Sequence, residues 1–201
     1  MSYWHHARPV RRTRAVDVEA IARESAGLLD EGGTGALTLR AVAGRLGVAP
    51  ASLYSRVVSA DDLLDLALDH TLAGDADLQR CLEGSDLQDL YLAYYRHLRR
   101  HRWACGVIGL RAPRGPAYLA LSERFCALLE ADGASDPLTT AYAMSNFVIG
   151  SAMTDPIAES ERDSPVDASA APVYARLHAR HEPDAEAVVV AGLRALRGLR
   201  T

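Results

Sequence analysis

Apolar residues recur at three- and four-residue spacing along most of this chain, and the alternation a strand needs never persists, so the pattern predicts helices throughout. Asp17 is an N-cap residue ahead of a stripe of Ile21, Ser25, Leu28 and Leu29, which Gly32 and Gly33 bring to an end. Thr38 caps a second helix in which Leu39, Val42, Ala43 and Leu46 share one face. Gly47 supplies a left-handed stop, Pro50 starts a third helix, and Leu53 and Val57 turn that helix back onto the second. Ser59-Ala60-Asp61-Asp62 reads as a capping-box start in which Asp62 reaches back, opening a fourth helix with Leu63, Leu64, Leu66, Ala67 and Leu68.

Gly74 and the acidic stretch 83–86 interrupt the pattern, after which 87–103, 117–131, 137–155 and 184–199 read as helices. The polar, Pro- and Ala-rich segment 156–172 reads as a mobile loop. The expected fold class is all-α. A basic arm at 1–16 leads into a helix-turn-helix unit of three or four helices at 17–75, and 76–201 forms a larger helical domain for ligand binding and dimerisation.

The segment 38–59, TLRAVAGRLGVAPASLYSRVVS, carries the most chemical information. Two short helices joined by a tight turn are the geometry that lays the second helix in the major groove of duplex DNA. Ala51, Ser52, Tyr54, Ser55 and Arg56 point away from the leucine side of that helix. They are small, polar or basic, which suits phosphates and base edges, whereas a catalytic surface more usually offers carboxylates, imidazoles or thiols.

Charge sharpens this picture. The net charge is −4, but residues 1–60 hold eight Arg against five acids, +3, while the rest holds 14 against 21, −7. The basic balance therefore lies with the candidate DNA reader. Every basic residue is Arg and none is Lys.

Composition excludes several classes. No apolar run reaches the roughly 18 residues of a membrane span, and the opening MSYWHHARPVRRTR has no apolar signal segment, so a cytoplasmic location is expected. Cys81, Cys105 and Cys126 are odd in number and widely spaced, and read as reduced core residues. No GxSxG, P-loop, HExxH or GxGxxG is present, so no cofactor is implied. His97 and His101 stand four apart, with His178 and His181 downstream, and leave open a metal-dependent helical enzyme. Arg99, Arg100 and Arg102 around the pair would repel a cation, and no metal is expected. A helical module that binds a partner protein is the third reading.

Two late helices suggest assembly. The stretch 137–155 is apolar or small nearly all round, with Gly150, Ser151 and Ala152 offering close approach to another helix. The stretch 184–199, with Val188, Val189, Val190, Leu193, Leu196 and Leu199, carries more apolar surface than docking on one neighbour needs. Together they predict a homodimer formed by two helices from each subunit.

Residues 28–68, LLDEGGTGALTLRAVAGRLGVAPASLYSRVVSADDLLDLAL, resemble the tetracycline-repressor (TetR) family of bacterial transcription regulators. The glycines, the LTLR start, the LGV turn, the LY pair and the closing leucines fall in that family's order. A weaker resemblance to its founding branch continues through RRHRWACGVIGLRAP and AYAMSNFVIG. It implies a homodimeric repressor that a small molecule releases from a palindromic DNA operator.

By position, the resemblance gives Arg40 a base or phosphate contact and Tyr54 a phosphate contact, with Ala51, Ser52, Ser55, Arg56 and Ser59 on or beside the groove side. Ala49 stands where the family commonly has a capping Ser or Thr, and Ala60 where it commonly has a phosphate-binding Lys. Arg8, Arg11, Arg12 and Arg14 form either an arm able to enter the minor groove or a plain basic tail.

The effector site is implied at Tyr94, Trp103, Arg111, Phe125, Tyr142, Asn146 and Met153, each of which also fits a core role. Asn146 is set apart, because an amide in so apolar a helix needs a partner. Asn146 and Thr154 replace the imidazole and metal-associated carboxylate of the founding member, so the implied effector is metal-free and is not tetracycline. Arg111 and Asn146 as donors in an apolar surround predict an apolar or aromatic effector with a few acceptors.

Overall fold

Asp17 starts the first helix as its type predicts, its carboxylate accepting the Glu19 amide at 3.2 Å. The computed structural model describes residues 2–6, 16–162, 164–180 and 184–198, and among them the chain is all-α, with eleven α-helices and no strand. They are α1 (Val18–Ala36), α2 (Leu39–Arg45), α3 (Pro50–Leu53), α4 (Ala60–Gly74), α5 (Ala76–Gly84) and α6 (Leu87–Arg100). α7 (Trp103–Leu110), α8 (Pro116–Ala131), α9 (Pro137–Arg162), α10 (Pro172–His178) and α11 (Ala185–Gly198) follow, and a 3-10 turn at Tyr3–His5 precedes them.

α1 breaks at Gly33, where φ is 64°. α1 lies along α4, α2 packs on α1, and α3 packs on α2. Ile21, Val42, Ala43, Leu53, Val57 and Leu63 are all fully buried in this unit. The core continues without a gap into Tyr91, Tyr94, Leu98, Val148 and Val189, contributed by α6, α9 and α11. α4 also reaches α8, where the Asp69 carboxylate caps the helix by accepting the Ala117 amide at 2.8 Å and the Tyr118 amide at 3.3 Å.

Several expectations change. The stretch 87–103 is two elements, because the backbone leaves helical geometry at His101 (φ −113°, ψ 67°), whose imidazole is held by Asp30. The segment 156–172 is not one loop: α9 runs on to Arg162 with Pro156 inside it, and α10 begins at Pro172. A proline removes one helical hydrogen bond. Asp155, just before it, is buried and gripped by the Tyr95 hydroxyl at 3.2 Å and Arg99 at 2.5 Å, which secures the helix across that defect. Asp62 reaches back to the Val58 amide at 2.6 Å and not to Ser59, whose side chain makes no cap. α5 and α10 had no periodic signal long enough to reveal them.

Gly192 marks where α11 crosses α9. A Cβ there would stand 2.1 Å from Cζ of Phe147, so any larger residue forces that ring to move. Close approach through Gly150, expected from the sequence, finds no neighbour among the described residues.

Candidate DNA interface and effector clefts

The turn between α2 and α3 is built from backbone up. The Val48 amide bonds the Ala43 carbonyl at 3.0 Å and the Gly47 amide the Gly44 carbonyl at 3.2 Å, the Schellman pairing, with Gly47 at φ 64°. The Thr38 hydroxyl oxygen caps the other end of α2 by accepting from the Ala41 amide at 3.0 Å. Leu53 and Val57 are both fully buried, and α3 packs against α2. α3 itself is one turn, Pro50–Leu53, and residues 54–56 follow as a turn whose Val57 amide still bonds the Leu53 carbonyl at 2.9 Å.

This packing leaves Ala51, Ser52, Tyr54 and Ser55 exposed on one surface, together with Arg40 and Ser59. Tyr54 is 60% exposed. The Ser55 hydroxyl donates to the Ser52 carbonyl at 2.8 Å. Arg56 departs from expectation. It is half-buried, and its Nε donates to the Val16 carbonyl at 2.9 Å, fastening the chain ahead of α1. Ala49 provides no side-chain cap. Arg23 and Arg45 are engaged by Glu24 and Glu31, whereas Arg40 has no ion pair among the described residues. Arg8, Arg11, Arg12 and Arg14 lie outside the described residues. Just before them, the Ser2 hydroxyl and Tyr3 amide donate to Asp65 at 2.9 and 2.8 Å, so residues 2–6 are seated on α4.

The seven residues implied for the effector do not share one site. Arg111, Phe125, Tyr142 and Asn146 line a cleft of about 500 Å3 between α7, α8 and α9. Phe125 stacks on Tyr91 with ring centroids 3.9 Å apart, forming its floor. Tyr94 lies behind Phe125, fully buried, and burial pushes its phenol well above the ordinary value. Its hydroxyl faces the phenol of Tyr118. Tyr118 and Leu110, which the sequence reading did not single out, complete the wall, and Leu110 is 86% exposed at the lip. Asn146 is exposed on the rim and not enclosed, because α9 is not buried all round: Ala143, Asn146, Gly150, Met153 and Ile157 form an open face.

Trp103 and Met153 line a different cleft, of about 690 Å3, between the end of α1, the start of α7 and α9. The Trp103 Nε1 donates to Asp30 at 2.7 Å. α7 is thus tied to the N-terminal helices at both ends. At its far end Arg111 donates from Nη1 to the Asp61 carbonyl at 3.0 Å and pairs with Asp61 and Asp65 at 3.4 and 3.5 Å.

His97 and His101 turn to separate carboxylates. The buried His97 donates from Nδ1 to Asp75 at 2.7 Å, and His101 donates from Nδ1 to Asp30 at 2.8 Å. Burial pushes the His97 imidazole below its ordinary range. Burial alone would raise Asp75, but the His97 hydrogen bond, the Leu78 amide and the Arg100 charge hold it well below the usual carboxylate range. Among the described residues no cluster of three His, Cys, Asp or Glu is arranged to hold a metal ion, and no helix is long and apolar enough to cross a membrane.

Comparison with known proteins adds the following. Residues 85–183 match the family described as tetracyclin repressor-like, C-terminal domain. An HTH-type transcriptional regulator of Saccharopolyspora erythraea is 35% identical over 159 residues, which cover 75% of this chain and 66% of that protein. An HTH-type transcriptional repressor of Streptomyces coeruleorubidus is 30% identical over 156 residues, covering 72% of this chain and 56% of the other. The matched stretch therefore spans 66% and 56% of the lengths of these two relatives. In fold, the chain is similar to the Streptomyces coelicolor TetR family protein ActR in complex with (S)-DNPA, with a TM-score of 0.70 and 23% identity, over 91% of this chain and 99% of that one. It is also similar to TetR from Acinetobacter baumannii AYE, with a TM-score of 0.65 and 22% identity, over 90% and 95% of the two chains.

Proposed function

This chain belongs to the tetracycline-repressor family, and from that premise we propose that it is a cytoplasmic, homodimeric transcriptional repressor which a small molecule releases from DNA. Residues 17–75 form the reader in this reading and 76–201 the effector and dimer domain. The observation that carries it is the surface of α3. Leu53 and Val57 are fully buried while Tyr54, one residue on from Leu53, stands 60% exposed beside Ser52, Ser55 and Arg40. Burial on one side fixes the helix, so the other side meets duplex DNA with Tyr54 and Arg40 on phosphates and Ala51, Ser52 and Ser55 at base edges. Ser59 supplies a backbone-side contact, and Arg11 and Arg12 extend the contact toward the minor groove.

The dimer pairs α9 and α11 of one subunit with those of the other. The open face of α9 at Ala143, Asn146, Gly150 and Ile157 and that of α11 at Ala187, Val188, Ala191 and Ala195 are made of small and apolar side chains, which let helices approach closely. Such a dimer sets two readers about 34–36 Å apart on a palindrome.

The effector enters the α7–α8–α9 cleft. Phe125 and Tyr142 offer rings, and Arg111 and Asn146 offer donors, which suits an aromatic molecule with a few acceptors. Arg111 also holds the first two turns of α4 through Asp61 and Asp65. A ligand that draws Arg111 toward itself loosens that hold, and by linkage DNA weakens the ligand by the factor with which the ligand weakens DNA.

The test is selection of bound duplexes from a random pool, followed by titration of the enriched sequence. An enriched palindrome is expected, with Tyr54→Ala binding it at least about tenfold more weakly and with affinity falling steeply as salt rises. A pool that yields no palindrome, or a Tyr54→Ala protein that binds as the parent does, overturns the reading.

A further inference from the structure

The cleft that holds Trp103 and Met153 shares no lining residue with the α7–α8–α9 cleft, and it is the roomier of the two. Its apolar wall combines Leu29 from α1, Trp103 at the start of α7, and Ala152 and Met153 from α9. A flat indole and a polarisable thioether facing one gap are suited to an aromatic ring. Arg100 and Arg102 sit at its polar edge. Arg100 is committed to Asp75, whereas Arg102 has no ion pair or hydrogen bond among the described residues. Arg102 is also the N-cap residue of α7, where it makes no side-chain cap and the Ala104 amide bonds the His101 carbonyl at 2.8 Å, so the guanidinium stays available to the cleft. The acid in the cleft, Asp30, is already taken up by Trp103 and His101.

We propose that this cleft is a second small-molecule site, which takes a flat aromatic anion with its ring against Trp103 and Met153 and its carboxylate on Arg102. The site goes beyond the regulator reading and does not depend on it. Because one wall belongs to α1 and the others to α7 and α9, a bound ring touches both the DNA-reading helices and the effector body.

The probe is 2-naphthoate, with 2-naphthamide as its uncharged counterpart. The chain has two tryptophans, so the Trp4→Phe protein leaves Trp103 as the sole indole reporter. A saturable change in Trp103 emission is expected. Arg102→Gln and the amide probe should each weaken it by about tenfold, the size of one charge-assisted hydrogen bond. Gly106→Phe, at a cleft-lining position with open space for a side chain, should abolish it. No saturable change, equal affinity for acid and amide, or indifference to Arg102→Gln and Gly106→Phe overturns the proposal.

Discussion

The indole Nε1 of Trp103 donates a 2.7 Å hydrogen bond to the carboxylate of Asp30, joining the start of α7 to the end of α1. The same carboxylate oxygen accepts from His101 at 2.8 Å, so one acid on α1 organises the break between α6 and α7.

Removing that acid strands a nearly buried donor. Asp30→Ala is expected to lower unfolding stability by about 1–3 kcal/mol, the cost of an unsatisfied indole N–H. Asp30→Asn, which keeps an acceptor, should recover most of it. Urea denaturation of the three proteins checks this, and equal midpoints for Asp30→Ala and the parent would refute it.

Where α11 crosses α9, added volume has nowhere to go. Gly192→Ala drives a methyl group into the Phe147 ring and should cost about 1–3 kcal/mol by overpacking. Combining it with Phe147→Leu should relieve part of the cost, giving a non-additive double-mutant cycle. Additive losses by thermal unfolding would contradict a direct clash.

Acid should destabilise the fold in two stages. Burial keeps His97 below its ordinary 6.5, so as pH drops below about 6.5 the unfolded chain takes up a proton that the folded chain resists. Asp75 stays below its ordinary 3.8, so its contribution is present above that value and is lost as pH falls further. The melting temperature is expected to decline between about pH 7 and pH 5 in the parent and to be flatter in His97→Gln, which keeps a donor for Asp75 without a titrating ring. Parallel curves would remove His97 as the source.

A charge on the open face of α9 tests the assembly. Gly150→Arg places a guanidinium where, among the described residues, no atom comes within 4 Å of the added Cβ, so the subunit should fold as before. Buried against a second copy, an unpaired charge is strongly unfavourable. Sedimentation should show a dimer for the parent and a monomer for the variant, and a dimeric variant would place the interface elsewhere.

Residues whose roles are local were legible before any coordinates. Asp17 and Thr38 cap their helices, Gly47 takes a positive φ, and Leu53 and Val57 are both buried, because capping, chirality and four-residue spacing all act within a few positions. What depends on distant partners was not. Arg56 reads as a groove-facing cation until the Val16 carbonyl, 40 positions away, is seen to hold it. Pro156 reads as a helix end because the grip of Tyr95 and Arg99 on Asp155 spans about 60 residues. Asn146 reads as enclosed because an apolar run does not tell which of its sides the rest of the chain covers. Trp103 and Tyr142 fall in one list by resemblance and in two clefts in space, since the α6–α7 break is set by Asp30, some 70 positions upstream.

Asp65 divides its lone pairs between two claimants. One oxygen serves the backbone and hydroxyl at Tyr3 and Ser2, the root of the arginine-rich stretch, and the other faces the guanidinium of Arg111 on the wall of the α7–α8–α9 cleft. A carboxylate carries a single negative charge, so whatever pulls Arg111 away leaves more of that charge to the opening residues, and whatever frees those residues tightens the hold on Arg111. The tether of the basic stretch and the latch of the cleft are thereby rivals for one anion.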